Sequence, residues 1–156
     1  MTAIFSPGDF SGDGAADILA RDRAGNLWLY RGNGRGGFVG GSQKVGTGWN
    51  AFDAIFAVGN FDGKAGVDVM ARRADGRLYL YPGSGSGGWR ASSLVGSGWQ
   101  TFDAVLGAGD FNGDGRDDVL ARDRSGRLKL YPGNGEGGWR GSSTIGSGWG
   151  GLRFVA

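Results

Sequence analysis

Residues 109–119 read GDFNGDGRDDV and set oxygen-bearing side chains at Asp110, Asn112, Asp114 and Asp118, with glycines between them. Near the start, GDFSGDGAADI repeats the pattern with Asp9, Ser11, Asp13 and Asp17. Oxygens at alternate positions, then a backbone carbonyl, then a final aspartate, form the spacing that wraps a hard cation. Calcium takes several oxygens at about 2.3–2.6 Å, and the glycine permits the sharp turn. Three carboxylates in one loop repel one another unless a cation lies among them. The expected ligands are Asp9, Ser11, Asp13, the Ala15 carbonyl and Asp17 in one loop. In the other they are Asp110, Asn112, Asp114, the Arg116 carbonyl and Asp118. The competing arrangement is a set of Asx-turns, with the same aspartates accepting backbone N–H groups and no ion. A third run, NFDGKAGVD, departs from the pattern: Asn60 and Lys64 stand where the others have aspartate, and the glycine has moved. The Lys64 ammonium is expected to neutralise Asp62 and Asp68, leaving this loop metal-free. The role of calcium here is structural, because no base stands beside the loops.

Tryptophan is the second chemistry-bearing residue. Trp49, Trp99 and Trp149 close the stretches GTGW, GSGW and GSGW, and Trp89 and Trp139 lie in GGWR. A flat ring with an indole N–H suits the C–H-rich face of a sugar, so all five are candidate glycan platforms. The alternative is that they fill wedges between structural units. Trp28, Tyr79 and Lys129 share a repeat position but differ in character, which reads as open surface.

These residues recur because the chain repeats itself. Trp49, Trp99 and Trp149 are spaced by 50, and three copies of one unit run over approximately 1–49, 50–99 and 100–149. Residues 150–156 align with the opening strand of a further unit. Each copy holds four short apolar runs of strand length; in the last they are Phe102 to Gly107, Asp118 to Arg122, Arg127 to Tyr131 and Ser142 to Ile145. None reaches helical length. DRSGR, ADGRL and RAGNL put glycine where a hairpin needs positive φ. Leu128 and Leu130 alternate with Lys129 and Tyr131, so one face is buried. Four antiparallel strands in about 50 residues is the pattern of a propeller blade. The expected fold is therefore an all-β propeller segment of three four-stranded blades in a single domain, 1–156.

Propellers close with 4–8 blades, and this chain supplies three. Head-to-tail pairing of two copies would give a six-bladed ring, since heterologous contacts close when the rotation permits. A stretch of a longer natural propeller is the other reading, and the two are compatible.

Composition narrows the function. Among 156 residues there is no cysteine and no histidine, which removes thiolate metal sites, disulfides and Ser-His or Cys-His dyads. Glu136 is the only glutamate, and the other clustered acids belong to the loops, so an enzyme is not expected. Net charge is +2, with arginines spread among aspartates, which speaks against nucleic acid. No apolar run approaches the ~20 residues of a membrane span. The start, MTAIFSPGDF, lacks the pattern of a signal segment.

GDFNGDGRDDVLARD and GDFSGDGAADILARD resemble the FG-GAP (VCBS-type) repeat of integrin-like propellers. That resemblance covers all three copies and implies a calcium-stabilised, extracellular propeller. GGWRASSLVGSGWQTFDAV is similar to the tachylectin-type lectin repeat, which implies sugar sites between neighbouring blades. The first copy departs from it, with Phe38 in place of Trp89 and Trp139. The expected function is a calcium-stabilised, lectin-like module with repeated sites, gaining avidity from several weak sites on one ring. The alternative is a protein-interaction or adhesion scaffold.

Overall fold

The structure is a computed structural model and describes residues 1–152. Twelve strands form three four-stranded antiparallel sheets, each in sequence order. The first comprises β1 (Ala3–Gly8), β2 (Asp17–Arg21), β3 (Leu27–Tyr30) and β4 (Gln43–Gly46). The second holds β5 (Phe52–Gly59), β6 (Asp68–Arg73), β7 (Leu78–Tyr81) and β8 (Ser93–Gly96). The third holds β9 (Phe102–Gly109), β10 (Asp118–Asp123), β11 (Leu128–Tyr131) and β12 (Ser143–Gly146). Strands β9 and β10 run slightly past the apolar stretches, because cross-strand pairing continues from Asp118↔Gly109 to Asp123↔Phe102 through bulges. The opening strand of a further unit, which the sequence places at residues 150–156, falls, beyond Leu152, outside the described residues.

Strand β5 lies against both β1 and β9, so each sheet is a blade with its first strand innermost. The middle hairpins turn on Gly25, Gly76 and Gly126, all at φ between 80° and 87°, a region closed to most side chains. Each of these glycine carbonyls accepts the backbone N–H of the tryptophan that opens the next blade, at 2.9–3.0 Å: Trp49, Trp99 and Trp149.

Two wedges between blades make the core. Leu19, Leu27, Leu29 and Phe10 of the first blade meet Val69, Ala71, Tyr79, Tyr81 and Trp89 of the second. Met70, Leu78, Leu80 and Phe61 of the second meet Val119, Ala121, Tyr131 and Trp139 of the third. The alternation in β3, β7 and β11 sends leucines to one wedge and the intervening side chains to the opposite face.

An arginine at the end of each second strand ties successive blades together. Arg21 Nη1 donates to the carbonyls of Trp49 and Phe52, both at 2.9 Å. Arg72 Nη1 donates to Trp99 at 3.0 Å and Phe102 at 2.8 Å, and Arg122 does the same for Trp149 and Leu152. Arg72 and Arg122 also pair with Asp53 and Asp103.

Candidate functional site

The last aspartate of each acidic loop is fully buried. Asp17, Asp68 and Asp118 are all 0 % exposed. Their Oδ1 atoms accept the N–H of Gly32, Gly83 and Gly133 at 3.0–3.1 Å, and their Oδ2 atoms accept N–H groups at the start of the loop. This residue therefore clamps the loop onto the third strand's exit in all three blades. The earlier loop positions differ among the copies.

In the first loop Asp9 accepts the N–H groups of Gly12, Asp13 and Gly14, at 2.7, 3.1 and 2.8 Å. Asp13 accepts the N–H of Ala15 at 3.0 Å. These are Asx-turn contacts. The Ser11 hydroxyl, by contrast, is buried without a hydrogen-bond partner in the middle of this acidic loop. An orphaned oxygen among three carboxylates fits a cation-ligand role. In the third loop Asp110 accepts from Asp114 and Gly115, both at 2.9 Å, and Asn112 Oδ1 accepts from Asp114 at 2.9 Å. Asp114 also lies 3.4 Å from the Arg140 guanidinium and 3.9 Å from that of Arg116. Among the described residues no three acidic side chains converge as a ready-made metal cluster.

The second loop is neutralised by a different residue from the one the sequence points to. Among the described residues Lys64 makes no ion pair. Instead Arg90, from the third blade-two loop, reaches in from 28 residues away. Its Nη2 donates to both Asp62 oxygens, at 3.0 and 2.8 Å, and lies 3.9 Å from Asp68. Its Nη1 donates to the Ala65 carbonyl at 2.6 Å. One planar guanidinium thus meets two carboxylates and a carbonyl, which a flexible ammonium on the exposed side of the loop does not. Burial pushes the Asp68 carboxyl above its ordinary range, and the neighbouring Asp62 charge adds to that shift. At the Arg90 position the first copy has Val39 and the third has Arg140.

Four of the five candidate tryptophans, Trp49, Trp89, Trp99 and Trp139, lie in the wedges. Trp49 and Trp99 are 4 % and 5 % exposed, so neither offers a ring face to a sugar. Trp49 packs on Tyr81 and Trp89, and Trp99 on Tyr131 and Trp139, with centroids 4.6–5.6 Å apart. Trp89 and Trp139 are half-buried, and each donates its indole N–H back to the preceding blade, to Val45 at 2.9 Å and Val95 at 2.7 Å. The glycine three residues before Trp49 and Trp99 makes room for the ring: a Cβ on Gly46 or Gly96 would sit 2.2 Å from the Trp49 or Trp99 indole nitrogen. Trp149, near the end of the described residues, is 37 % exposed. On the opposite strand face, Trp28 donates to Asp22 at 2.9 Å, and Tyr79 lies 5.3 Å beneath the Arg73 guanidinium.

A cleft of about 320 Å³ opens where the second loop meets the third blade. Its charged and amide lining is Asn60, Asp110, Arg116 and Asp117, and its walls include Gly63 and Gly135. Asp117 Oδ2 accepts the N–H of Asn60 at 2.8 Å across the blade junction. A Cβ on Gly63 would sit 2.4 Å from the Gly135 carbonyl, so that wall requires bare backbone, and one on Gly59, at φ 70°, would sit 2.4 Å from the Asp117 carboxylate. At the first junction Val67 and Gly66 take the places of Asp117 and Arg116, and the same charges are missing. The acidic spacing drew attention to the Arg116 carbonyl. The role of its side chain, like that of Asp117, had no sequence signal beyond a difference between copies.

Three successive antiparallel blades, inner strands together, define a segment of a β-propeller. The sequence matches the FG-GAP-like repeat over residues 60–121 and 110–156, more than half its length, and the chain belongs to that family. No curated protein matches it. Among solved structures it is similar to an Agrocybe aegerita lectin, described as specifically recognising non-reducing terminal N-acetylglucosamine. The TM-score is 0.69 at 23 % identity, over 94 % of this chain and 38 % of the lectin. The chain therefore spans well under half the length of that relative, and the likeness is one of fold.

Proposed function

We propose that this chain is a non-enzymatic, carbohydrate-binding module of lectin type, and that its glycan site is the cleft between the second and third blades. The observation that carries this reading is the cleft's lining. Two carboxylates, a guanidinium and a carboxamide line a hollow at the lower end of the ~300–1,000 Å³ range of small-ligand sites. Those groups hydrogen-bond sugar hydroxyls in both directions. The fold shared with a sugar-recognising lectin supports the same reading. One such site per chain replaces the equal sites expected at every blade, because the first junction lacks the charges.

Calcium in the first and third loops is part of the proposal, with the orphaned Ser11 hydroxyl as its support. Asp9, Ser11, Asp13, the Ala15 carbonyl and Asp17 would hold one ion. Asp110, Asn112, Asp114, the Arg116 carbonyl and Asp118 would hold the other. Bound calcium would supply positive charge to stiffen each loop. The second loop is filled by Arg90 and takes none. Association of chains into a ring would multiply the glycan sites and give avidity. Among the described residues no helix is long and apolar enough to cross a membrane, and an extracellular setting suits both glycan and calcium.

A glycan array tests the reading, with retention on the immobilised sugar and elution by the free one. Arrays should include terminal N-acetylglucosamine. Silence across a broad array would favour the protein-interaction scaffold instead.

A further inference from the structure

The two outer faces of the segment are the two halves of its own internal junction. On the third blade, Leu120, Leu128 and Leu130 form a small buried cluster with Leu106 against it, still 5–8 % exposed where Leu19, Leu27 and Leu29 are 0–1 % exposed. They occupy the repeat positions of Leu19, Leu27 and Leu29, which the next blade covers. Phe111 is 52 % exposed, whereas its counterparts Phe10 and Phe61 are 0 % and 1 % exposed. On the first blade, Ile18, Ala20, Tyr30 and Phe38 line a shallow hollow of about 280 Å³ with Ile4 and Met1. They hold the positions of Val69, Ala71, Tyr81 and Trp89, the surface that receives the first blade's leucines. Ile4 and Phe38 are 66 % and 60 % exposed.

We propose that the third blade's leucine face docks on the first blade's aromatic face of a second copy, head to tail. Two such junctions would close a six-bladed ring. This deepens the self-association reading above and does not depend on glycan binding. The argument is continuity: the same side-chain sets already pack together twice within one chain. The backbone agrees. Gly87 N–H donates to the Phe10 carbonyl at 2.9 Å and Gly137 N–H to that of Phe61 at 3.2 Å. Gly36 and Phe111 are the corresponding pair, with Gly36 at φ 82° beside 78° for Gly87 and 80° for Gly137. The Arg122 contacts to Trp149 and Leu152 hold the receiving turn in the same form as at the internal junctions.

One feature sets the intermolecular junction apart. Trp89 and Trp139 each donate an indole N–H to the preceding blade, and Phe38 has none to give. The docked junction is therefore the weaker one, and Phe38→Trp should tighten it by roughly five-fold, the worth of one net hydrogen bond.

Sedimentation equilibrium tests the proposal. The wild-type chain is expected at twice its 16.1 kDa mass. Phe111→Asp and Phe38→Asp alter side chains that are exposed in a single copy, so each variant should keep its β-sheet circular dichroism while falling to 16.1 kDa, with Tm lowered only to that of dilute, dissociated wild type. An equimolar mixture of the two variants retains one intact junction and should re-associate. A wild-type chain that stays at 16.1 kDa at high concentration overturns both self-association and the surface. A dimer that survives Phe111→Asp overturns the surface alone.

Discussion

Arg90→Met isolates the chemistry of the second loop. In the wild type the Asp62 and Asp68 side chains are 8 % and 0 % exposed, and Arg90 is the cation that reaches both. Removing one partner of a buried ion pair costs about 3–5 kcal/mol, because the remaining charge is left without compensation. Arg90 itself is 30 % exposed, so water screens part of the pair and the lower figure, about 3 kcal/mol, applies. For a chain of this size that corresponds to a fall in Tm of roughly 6–12 °C. Methionine keeps the aliphatic volume, so loss of packing contributes little. Thermal unfolding followed by circular dichroism in excess chelator measures the cost. Repeating it with millimolar calcium shows whether the emptied loop now takes a cation: Tm recovery is expected in the variant, beyond any shift seen in the wild type. A Tm in chelator within about 1 °C of wild type would refute the claim that Arg90 neutralises this loop.

Arg72→Met should cost about 3 kcal/mol, since it leaves the Trp99 and Phe102 carbonyls without their charged donor, and equilibrium urea unfolding would measure the loss. Exhaustive chelation of the wild type should lower Tm, as removal of any ligand specific to the folded state must; an unchanged midpoint would reject stabilising calcium. The Trp28 indole and Asn26 amide hold the Asp22 carboxyl down at about 2. A carboxyl depressed when folded stabilises above its unfolded value near 3.8 and loses that contribution as pH falls through about 2. The Trp28 indole N–H resonance should therefore titrate near pH 2, and a midpoint near 4 would contradict the contact.

Much of the fold is legible in the chain because its determinants are local. The hairpin glycines, the leucine alternation in β3, β7 and β11 and the tryptophan spacing all act within one repeat, and three copies triple the signal. The blade contacts are less legible. Trp49 between glycines reads equally as an open platform or a buried wedge, since only the neighbouring blade decides which. The arginine staples recur visibly at Arg21, Arg72 and Arg122, yet their acceptors are backbone carbonyls, which have no sequence signature. Arg90 was hidden for another reason. Lys64 stands inside the acidic run, whereas Arg90 arrives from a separate loop and has valine in its place in the first copy. The cleft is harder still, because Asn60 and Asp117 meet across two blades and only one junction carries the charges.

The glycan site is tested most directly by titrating an array-selected sugar into wild type and Arg116→Ala side by side, by calorimetry. Arg116 lines the cleft with its side chain about a third exposed, so its removal should leave the melting curve nearly unchanged. The expected result is saturable binding at one site per chain, weakened at least ten-fold in the variant. Equal affinity in the two proteins would contradict a glycan site between the second and third blades.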